Sequence, residues 1–600
     1  MHANEDKLAS LRTELRNRHL DGFVVPLADE HMSDYVGAYA KRLRWLTGFT
    51  GTAGVAVVLC TEAAVFVDGR YDLQVREQVD GQQWSFQKIA ETSVASWLQS
   101  HAPDNGRIGY DPWLHPPSWV ESVKTALSAR GIELVPQNSN PVDTIWTDRP
   151  KRPTEKISVY PLELAGESAR DKIRDIVTWL GTKSADACLL SSLESIAWTF
   201  NIRGYDVPRT PVTLAFALVN KDGSTDLFLR PEKLTDEVTR HLSDCSVLIH
   251  ESEKFSEHLN LLSQKRVTVD PDRTVAAIID ILNAAGAQIV RIREPAVVRK
   301  ATKNITEVMG HRTCQVRDGV ALTRFLHWLS LEAPKHTVTE LSAAAKLLAF
   351  RQESGALLDL SFDTISAFGS NGAIVHYRPT DQTNKPLVSG SLFLIDSGAQ
   401  YLEGTTDVTR TVAIGQPTIE MRDRFTRVLK GHIALARALF PAGTTGRKLD
   451  TVPRLPLWEA GLDYAHGTGH GVGCYLSVHE GPQKIGSTTA FAGGFDEPIL
   501  PGMIVSNEPG YYKAGCYGIR TENLMLVVKR DVAQADNETY GFEILTWAPL
   551  DRSLIDINLL TPEEREWIDS YHANVAKVLS PHIDEQGARN WLLQNTYALS

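Results

Sequence analysis

The sequence predicts a multidomain chain of mixed α/β and α+β class, in which two related α/β domains precede one larger α+β domain. The first observation is length, because 600 residues are more than one hydrophobic core usually supports. The second is repetition: the order of strands and helices in the first quarter of the chain recurs in the second quarter. The third is that this order is lost from residue 303 onward. We therefore expect domains over residues 1–155, 156–302 and 303–600, the last with a C-terminal tail over 550–600.

Composition and charge exclude several classes of protein. Hydrophobic residues make up 42% of the chain and charged residues 22%, which is typical of a globular protein. The formal net charge of -11 argues against binding to nucleic-acid phosphates. No apolar run approaches the length of a membrane span, and the charged N-terminus does not resemble a secretory signal. Six scattered cysteines without a CxxC motif indicate a reducing compartment. We expect a cytoplasmic protein with neither nucleic-acid nor membrane partners.

Alternating helix and strand signals define the first domain. Leu8, Leu11 and Leu15 recur at helical spacing, which predicts a helix over residues 4–18. Short apolar runs bounded by turn residues predict strands over 22–26, 55–59, 63–67 and 108–112, followed by a helix over 118–129. Residues 45–54, WLTGFTGTAG, are rich in glycine and threonine, so we expect a loop there.

The second domain repeats this order. Strands are predicted over 187–190, 213–219, 225–229 and 267–272, and a helix over 274–285. Asp186 precedes the first of these strands as Asp21 precedes the first strand of the first domain. A repeat of ~160 residues indicates duplicated domains, because the repeats of solenoid proteins are far shorter. Residues 148–157 are rich in proline and charge, as domain boundaries tend to be.

The third domain begins with two predicted helices, over residues 307–333 and 340–352. Strands, glycine-rich turns and further helices follow. The tail beyond residue 562 contains Trp567, Tyr571, Trp591 and Tyr597 in segments with helical character. It would form either a docking arm or the last layer of the core.

Two aspartates stand out in the third domain. Asp396 ends a short apolar run that predicts a buried strand, and Asp407 directly precedes a second strand, over residues 408–412. An antiparallel pairing of these strands would bring the two carboxylates side by side. Such a pair in an apolar setting is costly unless a cation neutralises it, and divalent metal ions would do so. The alternative is that both aspartates bond backbone amides in turns.

Further candidate ligands follow downstream. His470 lies in the glycine-rich segment AHGTGHGVG, where small residues let the backbone approach a site closely. A single histidine is more often an ordinary polar residue, but this one is followed by HEGP and then by SNEPG, which contains Glu508. Arg520 and Glu522 stand two apart on a predicted strand, so we expect them to share one face.

Together these residues form a candidate centre for two metal ions. Its members are Asp396, Asp407, His470, Glu508 and Glu522. Four carboxylates and one imidazole suit Mn²⁺, Co²⁺ or Fe²⁺ better than a metal that prefers thiolates. Two cations ~3.5–4 Å apart can hold a hydroxide between them, which would be the nucleophile at neutral pH.

The motifs of this chain resemble those of a known family. The chain is similar to the pita-bread metallopeptidases, and within them to the three-domain aminopeptidase P (Xaa-Pro aminopeptidase) type. The similarity rests on WLTGFTGTAG, VDGRY, YPLELAG, IVHYRP, LFLIDSGAQYLEGTTDVTRT, HGTGHGVG, HEGP, SNEPGYY and YGIRTENL, in this order along nearly the whole chain. It implies two creatinase-like N-terminal α/β domains followed by a C-terminal pita-bread domain.

The resemblance also implies a role for each candidate ligand. Asp396 would bind one metal through both oxygens, and Asp407 and Glu522 would bridge the two metals. His470 and Glu508 would complete the shell of the other metal, with Glu508 also placed to take a proton from the bridging water. The expected cofactor is two Mn²⁺ ions per subunit, with Co²⁺, Fe²⁺ or Zn²⁺ possible.

Four further residues gain a role from the same resemblance. His376, in VHYRP, and His479, in VHEGP, would bind substrate and stabilise the tetrahedral intermediate or relay protons. His466 would line the pocket for proline. Arg520 would hold a ligand carboxylate in place.

The implied activity is release of the N-terminal residue from peptides with proline at the second position. A bond before proline has no N–H, so a peptidase that needs this donor cannot use it, whereas a metal site with a snug ring pocket can. The family also suggests a homodimer. Arg70, in VDGRY, would either reach an active site of another subunit or domain or close its own turn, and we favour the second interpretation.

Four alternatives remain within and beyond this fold. A prolidase, which cleaves dipeptides, usually has one N-terminal domain, and methionine aminopeptidases are shorter still. Creatinase keeps the fold but lacks the metal ligands. A non-catalytic binding module of the same fold would also have lost the ligands, whereas this chain has all five candidate ligand residues.

Overall fold

The structure is a computed structural model that describes residues 2–487 and 494–599, with side chains described from residue 7 onward. It divides into two compact units, Met1–Lys300 and Ala301–Ser600. No helix within the described ranges combines the length and apolar character needed to cross a bilayer.

The first sheet lies in the N-terminal unit and has the strand order β4-β3-β2-β1-β5-β6. Its strands are β1 (Gly22–Pro26), β2 (Val55–Leu59), β3 (Ala63–Val67), β4 (Ser85–Lys88), β5 (Arg107–Tyr110) and β6 (Glu133–Pro136). Strands β1, β2 and β3 form an antiparallel meander, and the outer pairs are parallel. The helices are α1 (His2–Asn17), α2 (Arg42–Thr47), α3 (Asp72–Gln78), α4 (Val94–His101), α5 (Pro117–Leu127) and α6 (Pro141–Ile145). Both faces of the sheet are covered, one by α1, α2, α3 and α6 and the other by α4 and α5.

The local predictions for this sheet are largely confirmed. The strands expected over 22–26, 55–59 and 63–67 are present with those bounds, and Leu8, Leu11 and Leu15 are buried. The loop expected over 45–54 is wrong at its start, because α2 continues to Thr47. The helix stops at Gly48, whose φ of 81° is the left-handed conformation that glycine adopts readily at a helix end.

The second sheet has the order β12-β11-β10-β8-β13-β14. The strands of this region are β7 (Ser158–Val159), β8 (Ala187–Leu190), β9 (Ile202–Arg203), β10 (Phe216–Asn220), β11 (Thr225–Leu229), β12 (Val247–Glu251), β13 (Arg266–Val269) and β14 (Gln288–Arg291). The helices are α7 (Leu162–Ala165), α8 (Ala169–Thr182), α9 (Leu193–Thr199), α10 (Asp236–Asp244), α11 (Phe255–Asn260), α12 (Ala276–Ala284) and α13 (Ala296–Ala301). Each strand of the first sheet has a counterpart with the same neighbours and directions, which confirms the repeat. The boundary expected between residues 155 and 156 stays a prediction.

The C-terminal unit contains a different arrangement of sheets. Its strands are β15 (Asp359–Leu360), β16 (Ile365–Phe368), β17 (Ser391–Ser397), β18 (Ala399–Tyr401), β19 (Gly404–Thr405), β20 (Val408–Ile414), β21 (Phe440–Pro441), β22 (Gly469–Gly471), β23 (Glu480–Ile485), β24 (Ile504–Asn507), β25 (Gly510–Lys513), β26 (Tyr517–Arg520), β27 (Asn523–Arg530) and β28 (Thr539–Ile544). The two sheets that matter for the site have the orders β16-β17-β20 and β21-β28-β27-β24-β22-β23.

Helices pack around these sheets. They are α14 (Ile305–Glu332), α15 (Glu340–Gln352), α16 (Ile419–Ala436), α17 (Gly446–Trp458), α18 (Pro562–Leu579) and α19 (Gln586–Asn595). Asn304 and Glu307 form a capping box that starts α14. Ile568 and Tyr571 of the tail are buried in one cluster with residues of α16. The tail is therefore part of the core of this unit.

Candidate metal centre

The two aspartates lie on a pair of antiparallel strands, as the sequence predicts. Strands β17 and β20 pair antiparallel, with Asp396 opposite Thr409 and Ser397 opposite Val408. Asp407 directly precedes β20. Both carboxylates are buried, with Asp396 7% and Asp407 4% exposed. The pairing of β17 with β20 therefore brings the end of the first strand and the start of the second to the same place.

The large sheet supplies His470 and Glu508. His470 is the middle residue of β22, and Glu508 directly follows β24. Ser506 joins them, because its Oγ accepts a hydrogen bond from His470 N (2.9 Å) and donates one to Glu508 Oε1 (3.1 Å). A Cβ atom on Gly469 would lie 2.0 Å from the Ser506 carbonyl oxygen, so only glycine fits beside β24 at this point.

Glu522 reaches the site by a route that differs from the prediction. The sequence predicts Arg520 and Glu522 on one strand, but β26 ends at Arg520 and β27 begins at Asn523, so this prediction is wrong. The chain crosses from the small β25-β26 sheet to the large sheet between them. Thr409 holds Glu522 here, because its carbonyl oxygen accepts from Glu522 N (3.3 Å) and its hydroxyl donates to Glu522 Oε2 (2.7 Å).

Ligand atoms from three of these residues converge. One atom each from Asp407, His470 and Glu522 lie within 4.8 Å of one another. His470 Nε2 is 3.6 Å from Asp407 Oδ2 and 3.3 Å from Glu508 Oε1. Four of the five candidate ligands, Asp407, His470, Glu508 and Glu522, therefore lie close together.

A hydrogen bond to the backbone fixes the orientation of the His470 ring. Nδ1 lies 2.9 Å from the Gly471 carbonyl oxygen, to which it must donate. In the neutral ring, Nε2 then carries a lone pair that faces two carboxylates. Lone pairs and carboxylates repel one another, and a cation between them removes the repulsion.

The fifth candidate, Asp396, has one oxygen that the protein leaves without a donor. Arg520 donates to Asp396 Oδ2 (2.5 Å). Asp396 Oδ1 is buried, and within the described part of the chain it has no hydrogen-bond partner. A buried carboxylate oxygen without a partner is costly, and a metal ion would satisfy it.

Electrostatics also favour bound cations. Burial, and then the charge of Glu522, raise the pKa of Asp407 well above its usual range. Burial, and then the charges of Glu508 and Asp396, do the same to the pKa of Glu522. Without a cation, burial and mutual repulsion therefore make the charged forms of these carboxylates unfavourable. The donor set therefore fits divalent metal ions.

A chain of hydrogen bonds links Asp396 to His466. Besides bonding Asp396, Arg520 donates to the hydroxyl oxygen of Tyr512 (2.7 Å). That hydroxyl donates to His466 Nε2 (2.8 Å), while His466 Nδ1 donates to the Gly467 carbonyl oxygen (2.8 Å). The ring of His466 is therefore fixed at both nitrogens.

The other two histidines also lie at this site. The ring of His479 is 4.4 Å from the ring of His470, at an angle of 84°. His376 lies in the turn after the 3₁₀ helix Gly369–Ala373, and the carbonyl oxygen of the preceding Val375 accepts from Arg520 (3.4 Å). The segment with His376 is thus in contact with the guanidinium that holds Asp396.

Three residues of the site are absent from the sequence-based set. They are Thr409, Ser506 and Tyr512. Each lies in a motif that the sequence comparison used, DVTRT, SNEPG or EPGYY, but a hydroxyl beside a ligand has no spacing that reveals its partner.

Arg70 of the N-terminal unit closes its own turn. It forms two hydrogen bonds with Asp68, from Nε to Oδ1 (3.0 Å) and from its terminal nitrogen to Oδ2 (2.7 Å). This pairing supports the structural alternative for Arg70.

Fold and donor set together define a metallopeptidase centre, and comparison with known proteins agrees. Residues 310–529 match the metallopeptidase family M24, and residues 538–599 match the C-terminal region of peptidase M24. Residues 7–145 and 148–307 each match the creatinase/prolidase N-terminal domain.

Individual relatives show which family of metallopeptidases this chain resembles. A probable Xaa-Pro aminopeptidase P of Paracoccidioides brasiliensis is 39% identical, covering 98% of both chains. Aminopeptidase P2 of Arabidopsis thaliana is 37% identical over 99% of this chain and 89% of its own. The structure matches X-prolyl aminopeptidase from Caenorhabditis elegans, described as a cytosolic enzyme with a di-nuclear active site, with a TM-score of 0.94, 33% identity and full coverage of both chains. The chain therefore belongs to the Xaa-Pro aminopeptidase P family.

A more distant match shows the fold alone. Xaa-Pro dipeptidase from Bacillus anthracis is 23% identical, with a TM-score of 0.51, and its match covers 64% of this chain and 99% of its own.

Proposed function

We propose that this chain is a metallo-aminopeptidase that releases the N-terminal residue from peptides with proline at the second position. The observation that carries the proposal is the convergence of Asp407, His470 and Glu522 within 4.8 Å, since these are ligand types of one metal centre. The named relatives, 39% identical over 98% of the chain, support the Xaa-Pro specificity.

We propose two Mn²⁺ ions as the cofactor, with Co²⁺, Fe²⁺ or Zn²⁺ as possible replacements. Oxygen-rich donor sets with one imidazole suit these metals. The ligands would be Asp396, Asp407, His470, Glu508 and Glu522. When bound, the ions would polarise the scissile carbonyl and supply a hydroxide at neutral pH.

Side chains of the protein orient the groups that would take part in hydrolysis. Glu508 is the base in this proposal, and Ser506 orients it by donating to Oε1 (3.1 Å). Arg520 holds Asp396 in place through Oδ2 (2.5 Å), and a lone pair on each carboxylate oxygen would still be available for a metal ion. His376 and His479 would donate to the substrate carbonyl and the oxyanion that replaces it, and they would return a proton to the leaving amine.

Recognition of proline is the task we propose for His466. Its ring is almost completely buried, at 6% residue exposure, and both of its nitrogens are used within the protein. A ring fixed in this way presents a rigid surface rather than a hydrogen-bond donor. That suits a pyrrolidine ring, because an Xaa-Pro bond has no N–H to recognise.

Location and assembly follow from the relatives by analogy. We propose a cytoplasmic location, because the Caenorhabditis elegans relative is described as a cytosolic enzyme. We also propose a homodimer, as the family resemblance suggests. Light scattering after size-exclusion chromatography measures the mass directly, and a mass of one chain would refute the dimer.

The test is hydrolysis of matched peptides by chelated protein with and without added Mn²⁺. We expect cleavage of Xaa-Pro-Yaa tripeptides, restored by Mn²⁺, and about two metal ions per chain by elemental analysis. Cleavage of Xaa-Pro dipeptides alone would identify a prolidase instead. Cleavage of Met-Ala peptides would identify a methionine aminopeptidase, and protein that neither binds metal nor cleaves any peptide would refute catalysis.

A further inference from the structure

The segment 369–377, which contains His376, packs against the strand that ends in Arg520. A Cβ atom on Gly372 would lie 2.9 Å from Gly518 N, and one on Gly518 would lie 1.7 Å from the Gly372 carbonyl oxygen. The two backbones are therefore in direct contact. This contact fixes one side of the segment but not the direction in which His376 points.

One buried carboxylate holds both ends of this segment. Glu340, the first residue of α15, has no exposed surface. Its Oε1 accepts from Phe368 N (2.6 Å), directly before the segment. Its Oε2 accepts from the hydroxyl of Tyr377 (2.8 Å), directly after His376. The two oxygens thus bind the residue before the segment and the last residue of the segment.

The carboxylate makes further bonds of the same kind. Asn371 Nδ2 lies 2.9 Å from Glu340 Oε1 and 3.1 Å from Oε2, and Lys385 N donates to Oε2 (3.0 Å). Within the described residues, no arginine, lysine or histidine side chain is within ion-pair distance of Glu340. Neutral donors alone stabilise this buried charge, and most of them belong to the segment or its flanks. Burial raises the pKa of Glu340 above its ordinary value, although these donors oppose the shift.

This pattern differs from that of a residue that only stabilises the fold. A structural acid is commonly neutralised by one cation, as Asp318 is by Arg351 in the same unit (2.8 Å). Glu340 instead binds the backbone before the segment, a side chain within it and the side chain that follows His376. The free energy of these bonds is therefore used to select one conformation of the segment.

We propose that Glu340 is a positioning residue of the active site, which acts by holding the segment 369–377 so that His376 faces the substrate. The proposal deepens the function proposed above and rests on it for the role of His376. Glu340 itself touches neither the candidate metal ligands nor the substrate in this scheme.

The test uses Glu340→Gln in the full-length enzyme loaded with Mn²⁺. The amide keeps the shape of the side chain but replaces an acceptor by a donor, which faces donors already present. We expect kcat to fall by about 10- to 100-fold, the effect of a small misplacement of a reacting group, while metal content stays at the wild-type value. Glu543→Gln is the matched control, because it removes a carboxylate that pairs with Arg312 away from the site. Its activity should equal that of wild type.

A double-mutant cycle separates positioning from general destabilisation. If Glu340 acts through His376, Glu340→Gln should cost no further activity in a His376→Ala background. Fully multiplying effects, or a kcat of Glu340→Gln within about twofold of wild type, would overturn the proposal. Should Glu340→Gln fail to fold, Tyr377→Phe removes one of the donors and is judged by the same cycle.

Hydrogen exchange provides a measurement that does not depend on activity. In Glu340→Gln, the amides of residues 369–377 should exchange faster, and those of β17 and β20 should not. Unchanged protection of the segment would overturn the proposal even if activity fell. A wild-type enzyme that cleaves no Xaa-Pro peptide would instead refute the proposed function, and the exchange result would still test the role of Glu340.

Discussion

Asp318 and Asp407 are buried aspartates of the same unit, and their surroundings differ in one respect. Asp318 accepts two hydrogen bonds from Arg351 (2.8 and 2.9 Å) and one from the Tyr401 hydroxyl (2.9 Å). Asp407 faces carboxylates instead, and burial followed by the charges of Glu522, Asp396 and Glu508 raises its pKa. The first charge is neutralised by the protein, and the second is left to a ligand. The comparison shows how a metal centre can be recognised from its unbalanced charge.

The largest expected effect comes from replacing Asp407, the aspartate whose charge is left to a ligand. Asp407→Asn should lower metal content and reduce Xaa-Pro hydrolysis by at least about 1,000-fold, because a bridging ligand of the proposed centre is lost. In the chelated protein the same change should raise the melting temperature, since it removes one of several carboxylates that repel each other.

Metal analysis, peptide hydrolysis and calorimetry of the chelated protein measure these effects. Asp423→Asn is the control, because Asp423 pairs with Arg424 and Arg427 on α16 and is not a candidate ligand. A chelated Asp407→Asn protein that melts lower than chelated wild type would contradict the charge argument.

Replacing Asp318, whose charge Arg351 neutralises, should have the opposite effect on stability. Asp318→Asn leaves Arg351 buried without its counter-charge, so we expect a loss of about 3–5 kcal/mol in the stability of this unit, with metal content retained. Calorimetry of the metal-loaded protein measures the loss, and elemental analysis checks the metal. A stability close to that of wild type would mean that the comparison between the two aspartates is wrong.

Much of the fold and part of the candidate metal centre could be predicted from local sequence. Apolar runs gave the strands that carry Asp396 and Asp407, because a buried strand is visible in its own residues. The duplicated N-terminal sheets were visible for the same reason. The placement of Glu522 was not, since Glu522 lies in the break between β26 and β27 and is bound by Thr409, 113 residues away.

The residues that support the site were the hardest to predict from the sequence. Arg351 and Asp318 are 33 residues apart, and Glu340 and Tyr377 are 37 apart, on elements whose packing no local pattern specifies. A buried charge on a helix has the same sequence appearance as an exposed one. Only the structure shows which acids have partners, and therefore which acids need a metal.

A third buried acid, Glu294, extends the comparison, and the change in stability expected from it is smaller. Glu294 of the N-terminal unit is 2% exposed, and burial followed by the charge of Asp270 raises its pKa to about 7. Because the folded-state pKa is above the unfolded value, Glu294 contributes stability that is complete below about pH 4 and is lost as the pH rises through about 7. A shift of this size corresponds to about 3 kcal/mol.

Glu294→Gln should remove this pH dependence. We expect the N-terminal unit of wild type to lose stability between about pH 5 and pH 8, and the variant to lose much less. Calorimetric scans across this range measure the difference. Glu121→Gln is the control, since Glu121 pairs with Arg291 at an exposed position and should leave the pH profile unchanged. Equal slopes in wild type and Glu294→Gln would show that Glu294 is ionised in the folded protein, and that a buried acid here needs neither a metal nor a proton to be tolerated.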